Sequence, residues 1–181
     1  MNKVGTNNVG INNPGKTPIV SSSHLISEKS TELSELEYGL IIANNAFQRW
    51  IERCMTASGM PDLNSTDILI LHNIHHRNRP KKVADICFNL NIEDTHTVTY
   101  SLRKLRRLQL VNNLKQGKEN SFATSDRGGA LCEQYRAIRE DCLVDSLGTL
   151  GVSNPQIGEL ARVLRALSGL YDQAARSAAS M

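Results

Sequence analysis

Apolar residues in this chain of 181 residues recur mostly at intervals of three and four. That spacing gathers side chains on one face of an α-helix. Leu33, Leu36, Leu40, Ala43, Phe47, Trp50 and Cys54 keep the rhythm as a heptad seam, with Ser30 or Thr31 as cap and Glu32 and Glu35 in the first turn. Gly59 and Pro61 end that helix. Asn64 or Ser65 opens a second one carrying Ile68, Leu69, Ile70, Leu71 and Ile74, apolar nearly all round and therefore expected to be buried. Val83, Ile86, Cys87 and Leu90 make the stripe of a third, which Asn91 terminates because asparagine tolerates left-handed backbone. Asp94 or Thr95 caps a fourth, about 94–108, with Val98, Leu102, Leu105 and Leu108 inward.

The periodicity then changes. Leu110 and Val111 start a strand, Gln116 and Gly117 give a turn, and Ser121 to Thr124 return. A fifth helix runs from Ser125 or Asp126 to about Leu147, with Leu131, Tyr135, Ile138 and Cys142 inward, and Gly148 and Gly151 break it. Asn154 followed by Pro155 reads as a cap and first-turn proline. Ile157, Leu160, Leu164, Leu167, Tyr171, Ala174 and Ala178 form the seam of the last helix. Residues 1–28, rich in Asn, Gly and Ser with an imperfect five-residue repetition, predict a mobile tail whose only cations are Lys3 and Lys16. The fold class expected is mainly α: a winged helix-turn-helix with a small β-wing over 62–128. It is flanked by an N-terminal dimerisation helix (29–60) and by C-terminal helices (129–181) that complete the dimerisation region.

Charge changes the picture. The chain is only +3 overall, but His75 to Arg127 holds eleven Lys and Arg against five Asp and Glu, leaving ten against thirteen elsewhere. Phosphate neutralisation is the natural reason for such gathering, which points to double-stranded DNA as partner. On the outward face of the fourth helix, Thr95, His96, Thr97, Thr99, Tyr100, Arg103 and Lys104 are expected to meet the major groove. Lys82, Arg107, Lys115 and Lys118, with Arg77, Arg79 and Arg106, are expected to hold phosphates, and Lys81 adds to a cationic entrance. The two long seams, each longer than the small module covers, predict a homodimer that presents two recognition helices roughly 34 Å apart, with simple intrachain packing of the two helices as the alternative.

Other chemistry is thin. No apolar run approaches the roughly twenty residues of a membrane span, and Lys3 precedes no apolar segment of signal type. Cys54, Cys87, Cys132 and Cys142 are widely spaced on or beside apolar stripes, which predicts buried reduced thiols in a cytoplasmic protein. No glycine-rich phosphate loop, G-x-S-x-G or carboxylate pair appears, so neither an enzyme nor a cofactor is expected. His72, His75 and His76 raise the alternative of a metal-responsive regulator, although without the H-E-x-x-H arrangement. A winged-helix protein-interaction module without specific DNA binding is the other alternative.

Val83-Ala84-Asp85-Ile86, Thr97-Val98-Thr99, Leu102 to Val111 and Ala123 to Gly128 together resemble the MarR family of bacterial transcription regulators, over approximately Thr31 to Ala179. The resemblance implies a DNA-binding homodimer and a small-molecule effector. It has departures: Gln109 stands at the usual glycine position, Ile92-Glu93-Asp94 is one residue longer than the common turn, and the wing lacks the family's Asp-x-Arg.

Overall fold

The computed structural model describes residues 22–116 and 119–181. The expected tail up to residue 21 and the turn residues Gly117 and Lys118 lie outside the described residues. The chain forms two units, Met1–Trp50 and Ile51–Met181. Helix α1, Thr31–Ala57, begins in the first and ends in the second.

In the first unit the expected tail ends sooner than residue 28. A single 3-10 turn, Ser23–Leu25, is followed by a bridge between Ser27 and Ser30. Ser34, buried in α1, donates its hydroxyl to the Leu25 carbonyl at 2.6 Å and ties the segment down. Short hydroxyl side chains bond local backbone in this way whatever the composition of the segment. On α1 itself Leu33, Ile41, Ile42 and Phe47 remain exposed within this unit.

The second unit is organised around α2, Ser65–His75. As expected, Ile68, Ile70, Leu71 and Ile74 are buried to 1% exposure or less, whereas Leu69, expected with them, is exposed on the remaining side. Around α2 pack α3 (Val83–Leu90), α4 (Thr95–Arg107), β2 (Glu119–Thr124) and α5 (Asp126–Arg139). Asn64 caps α2 in a capping box with Asp67. Strand β1, Val111–Gln116, pairs antiparallel with β2 from Val111↔Thr124 to Gln116↔Glu119. Lys81 and Phe122 exchange two backbone hydrogen bonds, of 2.9 and 2.8 Å, fastening the chain before α3 to the wing. Asn91 ends α3 with a left-handed backbone (φ 52°), as its residue type predicts.

Two boundaries differ from the sequence reading. Helix α5 is regular only to Arg139, then widens into a π turn over Glu140–Val144 and a 3-10 turn over Leu147–Leu150. A π turn adds a residue and so rotates every later side chain about the helix axis. Cys142, expected inward, lies within that turn and is exposed, and Ile138 before it is only half-buried, whereas Cys54 and Cys132 are buried and Cys87 is half-buried. Helix α6, Asn154–Ala178, is capped by Ser153 with Gln156 rather than by Asn154, and Pro155 sits in its first turn. No residue of α6 is buried; Leu160 and Leu170 are 53% and 55% exposed.

The chain leaves α4 through Gln109, which lies two residues past the helix and stands where the resembled family has glycine. Its φ is 60°, and Leu110 N–H reaches back to the Leu105 carbonyl at 2.9 Å, the six-to-one bond of a Schellman end. Leu110 is thereby driven into the core. Its carbonyl accepts from Ser125 N–H at 3.0 Å and lies so close to Gly128 that a Cβ there would overlap it. His72 is also in this core, its ring 4.5 Å from that of Tyr135, with Nε2 buried and unpartnered. Burial, with the neighbouring His75 as lesser cause, pushes its pKa down to about 4.

Two tests of this packing are direct. Gln109→Gly relieves the left-handed backbone and raises unfolding free energy by about 1 kcal/mol, while Gly128→Ala lowers it by about 1–3 kcal/mol, both measured by urea denaturation at pH 7.5. For His72 the folded pKa lies below the unfolded value near 6.5, so its contribution is complete above pH 6.5 and is lost as pH falls towards 4. Unfolding free energy should drop by about 2 kcal/mol between pH 7.5 and 5 from this group. His72→Phe, which keeps the ring, should lose that part of the slope; an unchanged slope contradicts the assignment.

Candidate nucleic-acid interface

Helix α4 opens on Asp94, whose Oδ1 accepts from His96 N–H at 2.8 Å and whose Oδ2 accepts from the Thr97 hydroxyl at 3.0 Å. The His96 amide first, then Thr97, holds this carboxyl below its ordinary value. Val98, Ser101, Leu102 and Leu105 are buried against the domain. The helical repeat then centres His96, Tyr100, Arg103 and Arg107 on the opposite side, and all four are exposed. Tyr100 is 69% exposed, which is unusual for an aromatic ring without a partner surface. Thr95 lies exposed beside this face, and the Thr99 hydroxyl donates to the Thr95 carbonyl at 2.8 Å. Thr97 is exposed on the other flank with its hydroxyl donated to the cap.

Arg103, Arg106 and Arg107 also line a shallow hollow with Val111, Asn112 and Asn113 at the foot of the wing. The sequence reading missed the two asparagines. Their signal was position alone: the first exposed residues of a strand that follows a basic helix. Lys115 is exposed further along β1, and Lys82 is exposed at the start of α3, where its backbone N–H donates to Asp85. Arg77 and Arg79 are exposed as well. Lys118 lies outside the described residues.

Two lysines are placed otherwise than expected. Lys104 Nζ lies 2.6 Å from Asp67 Oδ2, and the two side chains are 19% and 0% exposed. The ammonium thus turns towards α2, away from the face on which the sequence reading set it. Asp67 was missed as its partner, although a carboxylate inside an otherwise apolar run is a signal that a buried charge needs a counter-charge. Lys81, expected at a cationic entrance, is 3% exposed. Its ammonium donates to the carbonyls of Asn73, Ile74 and His76, the last at 2.8 Å. Those are the acceptors that the end of α2 leaves open. Burial first, then Arg79, pulls this lysine below its ordinary pKa.

The three histidines do not converge. His72 faces Tyr135, while His75 Nδ1 lies 3.3 Å from the Thr124 hydroxyl and its Nε2 lies 3.7 Å from Glu133. Among the described residues no group of three His, Cys, Asp or Glu is placed to hold a metal ion, so the metal-responsive alternative is set aside. No helix among them is long and apolar enough to cross a membrane.

Residues 63–128 match the family model of a winged helix DNA-binding domain. No curated protein matches the chain in sequence. Several solved structures share its fold. AbfR of Staphylococcus epidermidis superposes with a TM-score of 0.65 at 16% identity, covering 81% of this chain and 95% of that one. A MarR family regulator from Neisseria meningitidis gives 0.62 at 15% identity, covering 79% and 95%. Staphylococcus aureus MarR in complex with salicylate and kanamycin gives 0.62 at 15%, covering 78% and 95%. The chain therefore has the MarR-type fold, a mainly helical one built round a winged helix DNA-binding domain.

Proposed function

We propose that this protein is a cytoplasmic, homodimeric transcription regulator of MarR type that reads double-stranded DNA with α4. One observation carries the reading: the outward row His96, Tyr100, Arg103 and Arg107, held clear of the core by a helix of the winged helix domain. Arg103 and Tyr100 would address base edges, with Thr95, His96, Thr97 and Thr99 beside them. Arg107, Arg106, Lys82 and Lys115 would neutralise phosphates, with Lys118 at the wing. Lys104 leaves this set. A small-molecule effector belongs to the same reading, which the salicylate and kanamycin held by the Staphylococcus aureus MarR structure support.

The homodimer rests on α6 and, separately, on the front of α1. A helix of 25 residues with no buried side chain has little reason to form in water. A second copy laid along its seam supplies the missing apolar cover. A rival reading, in which the domain docks a protein instead of DNA, draws on Phe88, which is 87% exposed on α3.

Selection of bound sequences from a random duplex pool separates these readings. A two-fold symmetric consensus that outcompetes random duplex at about 150 mM salt supports DNA reading, and no enrichment refutes it. On the selected site, Arg103→Ala should cost about 1–3 kcal/mol and relax the preference at one base pair. Arg107→Ala should weaken all duplexes alike and lower the slope of log affinity against log salt by about one. For the dimer, Leu160→Glu with Leu170→Glu alters two residues already more than half exposed in one chain, so the core around α2 is untouched. Sedimentation velocity should then show a monomer in place of a dimer.

A further inference from the structure

The Asp67–Lys104 pair joins the buried helix α2 to the helix proposed to enter the groove. Asp67 sits at the third position of α2, wholly inaccessible, and Oδ2 already accepts from Asn64 N–H at 3.2 Å within the capping box. Lys104 is on the flank of α4, beside the outward row rather than in it. The pair lies three residues before the C-terminal residue of α4, Arg107. Below it the close-packed Val98, Leu102 and Leu105 hold α4 against the domain. The charged contact to a fixed carboxylate adds a directional constraint on its rotation.

We infer that Lys104 is a positioning residue: its contact with Asp67 fixes the rotation of α4 on α2 and so aims Tyr100 and Arg103 at base edges. The inference rests on the DNA-binding reading above. It separates two quantities. Phosphate contacts made by flexible exposed arginines survive a small rotation of the helix, whereas base-edge contacts with fixed donor and acceptor geometry do not. The pair therefore governs discrimination between sequences and leaves nonspecific affinity alone.

The test compares the selected site with random duplex across a salt series, using the full chain. Lys104→Met combined with Asp67→Asn leaves no uncompensated buried charge and keeps an oxygen for the Asn64 amide. It should bind the selected site about tenfold more weakly, with random-duplex affinity and salt slope as in the parent, and Lys104→Arg should retain the parent's discrimination. A second arm uses Asp67→Asn alone, which releases the ammonium. Positioning predicts weaker binding to the selected site; a lysine that contacts DNA predicts tighter binding with a steeper salt slope. Either that second pattern, a slope reduced by about one in the double variant, or unchanged discrimination overturns the inference. Should the parent itself prefer no sequence, the DNA reading fails first and takes the inference with it.

Discussion

Everything in the larger unit depends on burying α2, a helix that is apolar on nearly every side. Such a helix is stable only when other elements surround it, and α3, α4, α5 and β2 do so. Burial of most of the helix has a second consequence at the ends. The first amides and last carbonyls of a helix need partners that its own turns do not supply. At the start Asn64 and Asp67 answer each other. At the finish Lys81 brings its ammonium to the terminal carbonyls, an arrangement also favoured by the negative end of the helix dipole.

Both solutions tie α2 to the parts that surround the outward face. Lys81 carries the end of α2 to the wing, because its own backbone is hydrogen-bonded to Phe122. Asp67 carries the start of α2 to α4 through Lys104. Deleting one partner of a buried ion pair costs about 3–5 kcal/mol; the partial exposure of Lys104 puts this pair towards the lower figure. The basic cluster legible in the sequence is therefore two populations. Lys81 and Lys104 are internal ties. Arg77, Arg79, Lys82, Arg103, Arg106, Arg107 and Lys115 are exposed and carry the field that the proposed DNA partner would meet.

The helices and their order were legible because spacing is a direct image of burial. Ile68, Ile86, Val98, Leu102 and Leu105 were assigned inward from their intervals, and all are buried. Asn91 was legible as a terminator because its side chain allows the left-handed backbone that it adopts. The fate of single cations was not. Arg103 and Lys104 are adjacent, about 100° apart around the helix, and both fall on the polar side that periodicity marks out. Only the position of Asp67 on another element decides that one of them turns inward. Cys142 was misplaced for a similar reason, since a π turn is a local insertion that constant-period counting steps over. Residues 22–28 escaped because a few serine hydroxyls, not apolar burial, hold them.

The apolar residues left over point outside the protomer. Leu33, Ile41, Ile42 and Phe47 in the first unit, and Leu160, Val163 and Leu170 in the second, are exposed, in a chain whose α2 is so thoroughly enclosed. Single exposed leucines are ordinary, whereas rows of them along long helices mark surfaces that meet something. The proposed second copy gives that surface a use beyond stability. One α4 offers a short row of contacts and a modest share of counterion release. Two on a shared axis join both half-sites in one binding event. Discrimination by a single aimed helix, which the Asp67–Lys104 tie would supply, and its multiplication by symmetry, which the uncovered seams would supply, are thus separate requirements. Different chemistry meets each of them, a buried charge pair the first and exposed hydrocarbon the second, so a substitution in one is free to leave the other intact.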